Sequence, residues 1–472
     1  MKLCSDYNKN VSILEKKLTI PENFDVVRRE LVVSEKRCSF FFVDAFVKDD
    51  ILEKIMEFLL KQDSKEAIQK KDASYFEKRF IPYIEVSLED DLTKMMNQVL
   101  CGPLVLLIEE FPKAIMIDAR TYPLRSVEEP QDDRVLRGSR DGFVETLVFN
   151  TALIRRRIRD PHLRFEMVQV GKVSKSDLVI SYMANKVDSS FLKRLKERIA
   201  SIDVDALTMA QESLSEALIP HHWYDPFPKV KYSERPDVAS SYLLEGQIVL
   251  LLDNSPSCII LPVSFFDFFD EAQDYYCLPV IGTYLKMVRM LVFFITLLLT
   301  PLWYLALSYL SYLPSWLKFL AIEDTVSIPV FFQLIFLEIG IDAIKLASLN
   351  TPQTLTSSFS VIGALILGEF AIQAGWINGE VIFYMAFVAL TNFTQSSYEI
   401  GYATKFLRIL LLILSALFGI YGFVIGIIFI LYLMFVSKGV MGRGYMYPLY
   451  PYNKEKLKRV FVREKLHGNN PT

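Results

Sequence analysis

At 472 residues, 52% hydrophobic and with a mean hydropathy of +0.27, the chain is too long for one ordinary domain and too apolar for a purely soluble protein. Its formal net charge of −3 averages two unlike halves and points to no class of partner; no nucleic-acid partner is expected. Up to about residue 280 charge and hydrophobe are mixed as in a globular protein, whereas from Met287 to Val436 charges nearly vanish and runs such as LVFFITLLL appear.

In chain order, the opening MKLCSDYNKNVSILEKKLTI holds no apolar core of an export signal, so the soluble half is expected to stay cytoplasmic, with residues 1–37 as an N-terminal extension. Two α+β subdomains follow. In the first, 38–124, CSFFFVDAF (38–46) reads as a strand, DDILEKIMEFLLKQ (49–62) as an amphipathic helix and LVLLIEEFPKAIMIDAR (104–120) as a hairpin around Phe111-Pro112. The charged stretch RSVEEPQDDRV (125–135) is a linker that opens the second subdomain, 125–280. There GFVETLVFNTALIRRRI (142–158) is predicted as helix, FEMVQVG (165–171) and DLVISYMAN (177–185) as strands, and DSSFLKRLKERIASI (188–202) as a helix capped by Asp188 or Ser189. SERPDVASSYLLEG (233–246), with an early proline and a final glycine, is a further helix, and QIVLLLDNSPSCIILPV (247–263) is two strands around a turn at Asp253-Asn254-Ser255-Pro256. SFFDFFDEAQDYYCLP (264–279) fits either a helix at the bilayer surface or a core helix. No internal repeat is visible.

Cys4, Cys38, Cys101, Cys258 and Cys277 are odd in number and form no CxxC pair, and the chain has only four histidines, so neither a disulfide framework nor a zinc site is expected. No Walker A loop, GxGxxG, GxSxG or HExxH occurs, and His221-His222-Trp223 lacks a set of metal-ligand partners; no catalysis and no cofactor are expected. The arginines are the notable charges here. Arg137 and Arg140 in RGSRDGF, with Arg155, Arg156 and Arg157 on the helix that follows, are read as contacts between neighbouring copies, with a phosphate site as the alternative.

Candidate membrane spans are 287–310, 328–347, 358–376, 379–396 and 406–436, a helical transmembrane domain over 281–437. The last candidate, roughly 30 residues, exceeds one upright span of about 20 and must tilt, extend beyond the bilayer or fold back near Gly419, Gly422 or Gly426. Lys286 and Arg289 flank the first span, and the basic tail, 438–472, carries Arg443, Lys454, Lys456, Lys458, Arg459, Arg463 and Lys465. Both ends are therefore placed in the cytoplasm and the crossings are even in number: four, or six if the last segment is a hairpin.

Within FFQLIFLEIGIDAIKLASLN (331–350), Glu338, Asp342 and Lys345 stand at i, i+4 and i+7 on one helical face and can pair with each other. A lone charge at the bilayer centre costs roughly 2.5–3.5 kcal/mol on insertion scales, so this face should meet protein or water. It either holds helices together or lines an ion path, with Glu369 in SVIGALILGEFAIQAGW as a fourth ionisable group at depth.

Several of these stretches carry a family resemblance. EEPQDDRVLRGSRDGFVETLVFNTALIRRRIRD (128–160) and KYSERPDVASSYLLEGQIVLLLDNSP (231–256) resemble the two signatures of the A subunits of spore germinant receptors, and SSFSVIGALILGEFAIQAGWIN (357–378) is similar too. YSERPDVASSYLLEG and the tail YMYPLYPYNKEKLKRVFVREK (445–465) resemble the stage V sporulation protein AF group in particular. The resemblance implies a two-part cytoplasmic domain, a membrane bundle, a ring-shaped homo-oligomer in the spore inner membrane among other membrane germination proteins, and ion release from the spore core. It does not assign a conducting residue. A non-conducting scaffold that docks another channel remains the alternative.

Overall fold

The computed structural model describes all residues except 1, 5, 21, 62–71, 121–134, 136, 220, 221, 223, 324, 325, 351–364, 396, 438, 441–443 and 464–472. The linker at 125–135 therefore lies outside the described residues but for Val135. The chain divides into two units, one of 1–220 with 230–262, the other of 221–229 with 263–472.

The first unit holds two five-stranded antiparallel sheets. The first sheet is built from α1 (Tyr7–Leu18), β1 (Val26–Val33), β2 (Lys36–Val43), α2 (Asp49–Lys61), α3 (Ala73–Phe80), β3 (Val86–Glu89), α4 (Leu92–Cys101), β4 (Leu104–Ile108) and β5 (Ala114–Ile117). It thus begins inside the stretch read from sequence as an extension. Its strand order is β1-β2-β4-β5-β3, and β4 and β5 form the expected hairpin. Strands β2, β4 and β5 are apolar without alternation because both faces are covered. Phe40, Phe42, Leu104 and Leu106 point into one core with Ile55 of α2 and Phe76 of α3, while Phe41, Val43, Val105 and Leu107 point into another with Leu14 of α1 and Met95 of α4. Burial pushes the Cys38 thiol, on β2, up to about 12.

The second sheet repeats this plan. Its elements are α5 (Leu147–Arg157), β6 (Leu163–Val170), β7 (Ser176–Met183), α6 (Ser189–Ala200), α7 (Ala210–Leu218), β8 (Lys231–Ser233), α8 (Pro236–Leu244), β9 (Ile248–Leu252) and β10 (Cys258–Leu261), and the order β6-β7-β9-β10-β8 is the first sheet's order again. Helices and strands alternate identically in the two halves. Even a side-chain device recurs: at the fourth residue of the leading helix, Asn10 and Asn150 each clamp the backbone six residues earlier. Asn10 bonds Cys4 N and O at 3.0 and 2.7 Å, and Asn150 bonds Val144 N and O at 2.8 and 2.5 Å. The repeat escaped sequence inspection because what it conserves is burial and topology, which many apolar residues satisfy. As expected, α6 is capped by Asp188, whose side chain accepts from Ser190 N and Phe191 N, and Pro236 opens α8.

The second unit is helical: α9 (Pro279–Ser308), α10 (Val330–Asn350), α11 (Gly379–Phe393), α12 (Tyr398–Val436) and α13 (Lys454–Phe461). α9 and α12 are long and apolar enough to cross a membrane. α12 is two arms joined at Gly419, which takes φ 58° and ψ −138°, a conformation open to glycine. The chain reverses there: a β-carbon at Gly422 would strike the Leu414 carbonyl, and one at Gly426 would lie 2.6 Å from Leu411 Cδ2. The last segment is thus a helical hairpin with its arms in backbone contact. The candidate span 358–376 lies outside the described residues as far as 364; 365–370 form a π-helical turn that ends in the short helix Ala371–Gln373. The stretch 264–279 is core at its start: Phe265 and Phe269 each pack on Phe293 with ring centroids 5.4 Å apart, and Phe266 and Phe268 are buried too, whereas Tyr275 and Tyr276 are exposed.

Asn10→Ala and Asn150→Ala should each destabilise the full-length protein by about 1–3 kcal/mol, because each strips a backbone N–H and a carbonyl of their partner. Denaturant unfolding of the first unit's signal measures this, and the two losses should add.

Candidate functional site

The charges of α10 and α12 meet between helices. Arg408, on the first arm of α12, sends Nε to Glu338 Oε1 at 2.8 Å, its Nη2 lies 2.6 Å from the same oxygen, and its Nη1 donates to the Thr296 carbonyl of α9 at 3.0 Å. Lys405 lies one turn earlier on the same face. Its Nζ stands 3.5 Å from Glu338 Oε2, donates to the Glu338 carbonyl at 3.2 Å and pairs with Asp342. The i, i+4 spacing of the acids faces the i, i+3 spacing of the bases, which runs α10 antiparallel to this arm. Two carboxylates are matched by two cations, and the side chains of Glu338, Lys405 and Arg408 keep no more than 7% of their exposure.

Glu338 and Asp342, predicted to pair with Lys345, thus pair with residues that sequence reasoning passed over. Lys345 instead lies over the Phe393 ring, 4.6 Å from its centroid, and 5.9 Å from that of Tyr402. Glu369 stands apart on the π-helical turn, exposed, accepting from Gln373 at 3.2 Å. The signal that was available is the pair Lys405 and Arg408 inside an apolar run: buried acids require cations within reach, and these two stand at helical spacing. A second lock joins α10 to the start of α11, where Gln333 and Asn378 exchange two hydrogen bonds, Gln333 Nε2 to Asn378 Oδ1 at 2.8 Å and Asn378 N to Gln333 Oε1 at 2.9 Å. The face of Glu338 is therefore packed, and Asp342 Oδ1 is buried in it with no hydrogen-bond partner among the described residues.

The arginines of the first unit divide as well. Arg155, expected at a contact between copies, is wholly buried and forks onto Asp25, Nε to Oδ2 at 2.8 Å and Nη2 to Oδ1 at 3.1 Å, with its guanidinium 4.8 Å from the Phe165 ring centroid. This pair ties the segment before β1 to the second half, beside Asn23 Oδ1, which accepts from Phe165 N at 3.0 Å. Arg157 turns inward to Asp141, at 2.7 and 2.8 Å, and to Ser139. Burial raises the Asp141 carboxyl, but Arg157 and Ser139 outweigh it and hold it below the usual carboxylate range. Arg137, Arg140 and Arg156 remain on the surface.

The two signature stretches meet at this loop. Arg235, nearly fully buried, forks onto Asp237 and donates to the Ser139 carbonyl at 3.0 Å, while Phe143 N donates to the Glu234 carbonyl at 2.8 Å. A family model described as Bacillus/Clostridium GerA spore germination protein matches residues 12–471. The chain belongs to the GerA family of spore germination proteins. It is 35% identical over 455 residues to stage V sporulation protein AF of Bacillus subtilis (strain 168), covering 96% of this chain and 92% of that protein. Spore germination protein KA of the same organism is 28% identical, covering 96% and 84%, and spore germination protein GerLA of Bacillus cereus is 28% identical, covering 94% and 90%. Among solved structures, the N-terminal domain of the A subunit of the Bacillus megaterium spore germinant receptor GerK3 matches 56% of this chain and 98% of its own at 21% identity and a TM-score of 0.40. This GerA-family chain is a germination-related membrane subunit, as the signatures implied.

Removing one partner of a buried pair strands the other, at about 3–5 kcal/mol. Arg408→Met should lower the unfolding free energy in detergent by that amount, and adding Glu338→Gln should recover most of the loss; a double-mutant cycle measures the coupling. In the first unit, Arg155→Ala should cost a similar amount through Asp25, whereas Arg156→Ala, on the surface, should stay within about 0.5 kcal/mol of the parent.

Proposed function

We propose that this chain is an oligomeric ion-channel subunit of the spore inner membrane, with its first unit and its tail in the cytoplasm, releasing cations from the spore core during germination. The observation that carries the reading is the contrast among the ionisable groups at depth. Glu338 is neutralised by Arg408 and Lys405 within one chain, while Glu369, set in the apolar run ALILGEFAI, is exposed. A carboxylate exposed at bilayer depth must meet water or a neighbouring subunit. A ring of copies that turns Glu369 toward a common axis supplies water and a cation-attracting ring of acids. Rings of exposed aromatics support the membrane placement: Tyr312, Trp316, Phe319 and Tyr421 near the hairpin tip, and Tyr275, Tyr284, Tyr450 and Tyr452 at the opposite end. The tail packs beside the start of α9, with Lys286 Nζ donating to the Arg459 carbonyl at 3.0 Å, in keeping with both ends on one side and six crossings.

The packed face of Glu338 favours a second reading, a non-conducting scaffold that docks another membrane germination protein, since a channel wall built on that face would have to break its pairs. Conductance separates the two. In planar bilayers under a salt gradient, the reconstituted oligomer should pass current with cation preference, and Glu369→Gln should move the reversal potential toward the anion side. Glu338→Gln should leave the reversal potential of the surviving oligomer unchanged while lowering its amount. An unmutated oligomer that passes no current leaves the scaffold reading standing alone.

A further inference from the structure

α13 lies where the first membrane helix leaves the bilayer, and its composition is unlike that of a plain structural strut. Residues 453–463, NKEKLKRVFVR, hold five basic residues and one acidic one. Asn453 caps the helix, accepting from Lys456 N at 3.1 Å; Val460 is buried and Leu457 half-buried, while Lys454, Lys456, Lys458, Phe461 and Val462 are exposed. The helix is pinned in place by its carbonyls and by Arg463. Lys286 Nζ takes the Arg459 carbonyl at 3.0 Å, Arg463 N donates to Thr283 Oγ1 at 3.2 Å, and the Arg463 guanidinium reaches the carbonyls of Cys277 and Tyr275. A β-carbon at Gly282 would strike the Asp274 carbonyl and would also lie 3.0 Å from Arg463 Cδ.

On the membrane reading, the 30 residues of α9, roughly 45 Å of helix, exceed a hydrocarbon core of about 30 Å, and Lys286 and Arg289 argue that the excess lies at its first turns, in the headgroup layer. On those turns Leu278, Val280, Ile281 and Tyr284 are exposed, and in the tail Leu449, Tyr450 and Tyr452 are exposed too. Exposed lysines together with exposed aromatic and aliphatic side chains are the makeup of an interfacial surface. The buried charges of the same region are already spent: Arg289 pairs with Asp274 and Glu271, and Lys286 with Asp270. Lys454, Lys456 and Lys458 of α13 are exposed at this end of the unit, with Lys456 Nζ over the Tyr447 ring at 5.3 Å from its centroid.

We infer that α13 is a docking surface for anionic phospholipid headgroups, with Lys454, Lys456 and Lys458 taking the phosphates while Phe461, Tyr450 and Tyr452 enter the interface. The inference rests on the membrane reading of the second unit, and the experiment keeps the two apart. The full-length protein is reconstituted into vesicles of phosphatidylcholine with phosphatidylglycerol, extracted mildly, and the co-purifying lipid is quantified by mass spectrometry. Phosphatidylglycerol should be enriched over its share in the vesicle, more so at low salt. Each Lys→Gln change should cost about fivefold of that preference, from the roughly 1 kcal/mol a lysine contributes near an anionic surface, and the triple variant at least tenfold. The Lys→Arg triple variant should keep the preference, and a Lys193→Gln control in the first unit should not alter it. Inorganic phosphate at millimolar concentration should fail to compete. Equal enrichment in the Gln triple variant, loss in the Arg triple variant, displacement by phosphate, or no preference in the parent overturns the inference. A parent that does not insert into vesicles at all overturns the membrane reading first.

Discussion

The helical unit depends on pairing charge out of water. Glu338 is the hinge of that requirement, since one carboxylate takes Arg408 through two nitrogens and shares Lys405 with Asp342, and Arg408 carries the link on to the Thr296 carbonyl of a third helix. In a low-dielectric surround no member of this set can be left alone without a penalty of several kcal/mol, so the register of α10, α12 and α9 is set together. Apolar packing alone would allow these helices to slide by a turn, because Leu, Ile and Phe fill similar space; fixed charges would not.

The same logic operates in the first unit on a smaller scale. Its two halves have the same topology and separate apolar sheets, which gives each a core of its own. Specific polar links run between them, Arg155 with Asp25, Asn23 with Phe165 N, and Arg164 with Glu22 at 3.0 Å, beside an edge-on contact of the Phe24 and Phe165 rings. Ala152 of α5 adds an apolar contact by entering the first half's core. The buried fork of Arg155 matters most, since its geometry is satisfied in one arrangement of the halves and leaves a naked charge in any other.

The family signatures are explained by the same residues. RGSRDGF and SERPDV are far apart in sequence, yet Arg157, Arg235 and Asp141 close around Ser139, and the loop backbone is zipped by Phe143 N to the Glu234 carbonyl. The arginine density that looked like a surface for neighbours is in good part an internal clamp, with Arg137, Arg140 and Arg156 left outside.

Much of the plan was legible without coordinates. Strands β2, β4, β7, β9 and β10, the helices at 49–61, 189–200 and 236–244 and the hairpin at Phe111-Pro112 all follow from local rules: apolar runs of strand length, caps and prolines act on their own neighbourhoods, whereas the sequence left a reversal of the last span as one of three options and Gly419 as one of three glycines for it. The division into a mixed-charge half and an apolar half was equally plain, because it is composition. Tertiary structure alone decided which charges meet. Glu338 and Arg408 are 70 residues apart, Asp25 and Arg155 are 130 apart, and nothing in spacing along one helix tells a carboxylate that its partner stands on another. It also decided that the two sheets share one strand order, since topology is preserved through burial, and burial accepts many sequences for the same place in a fold.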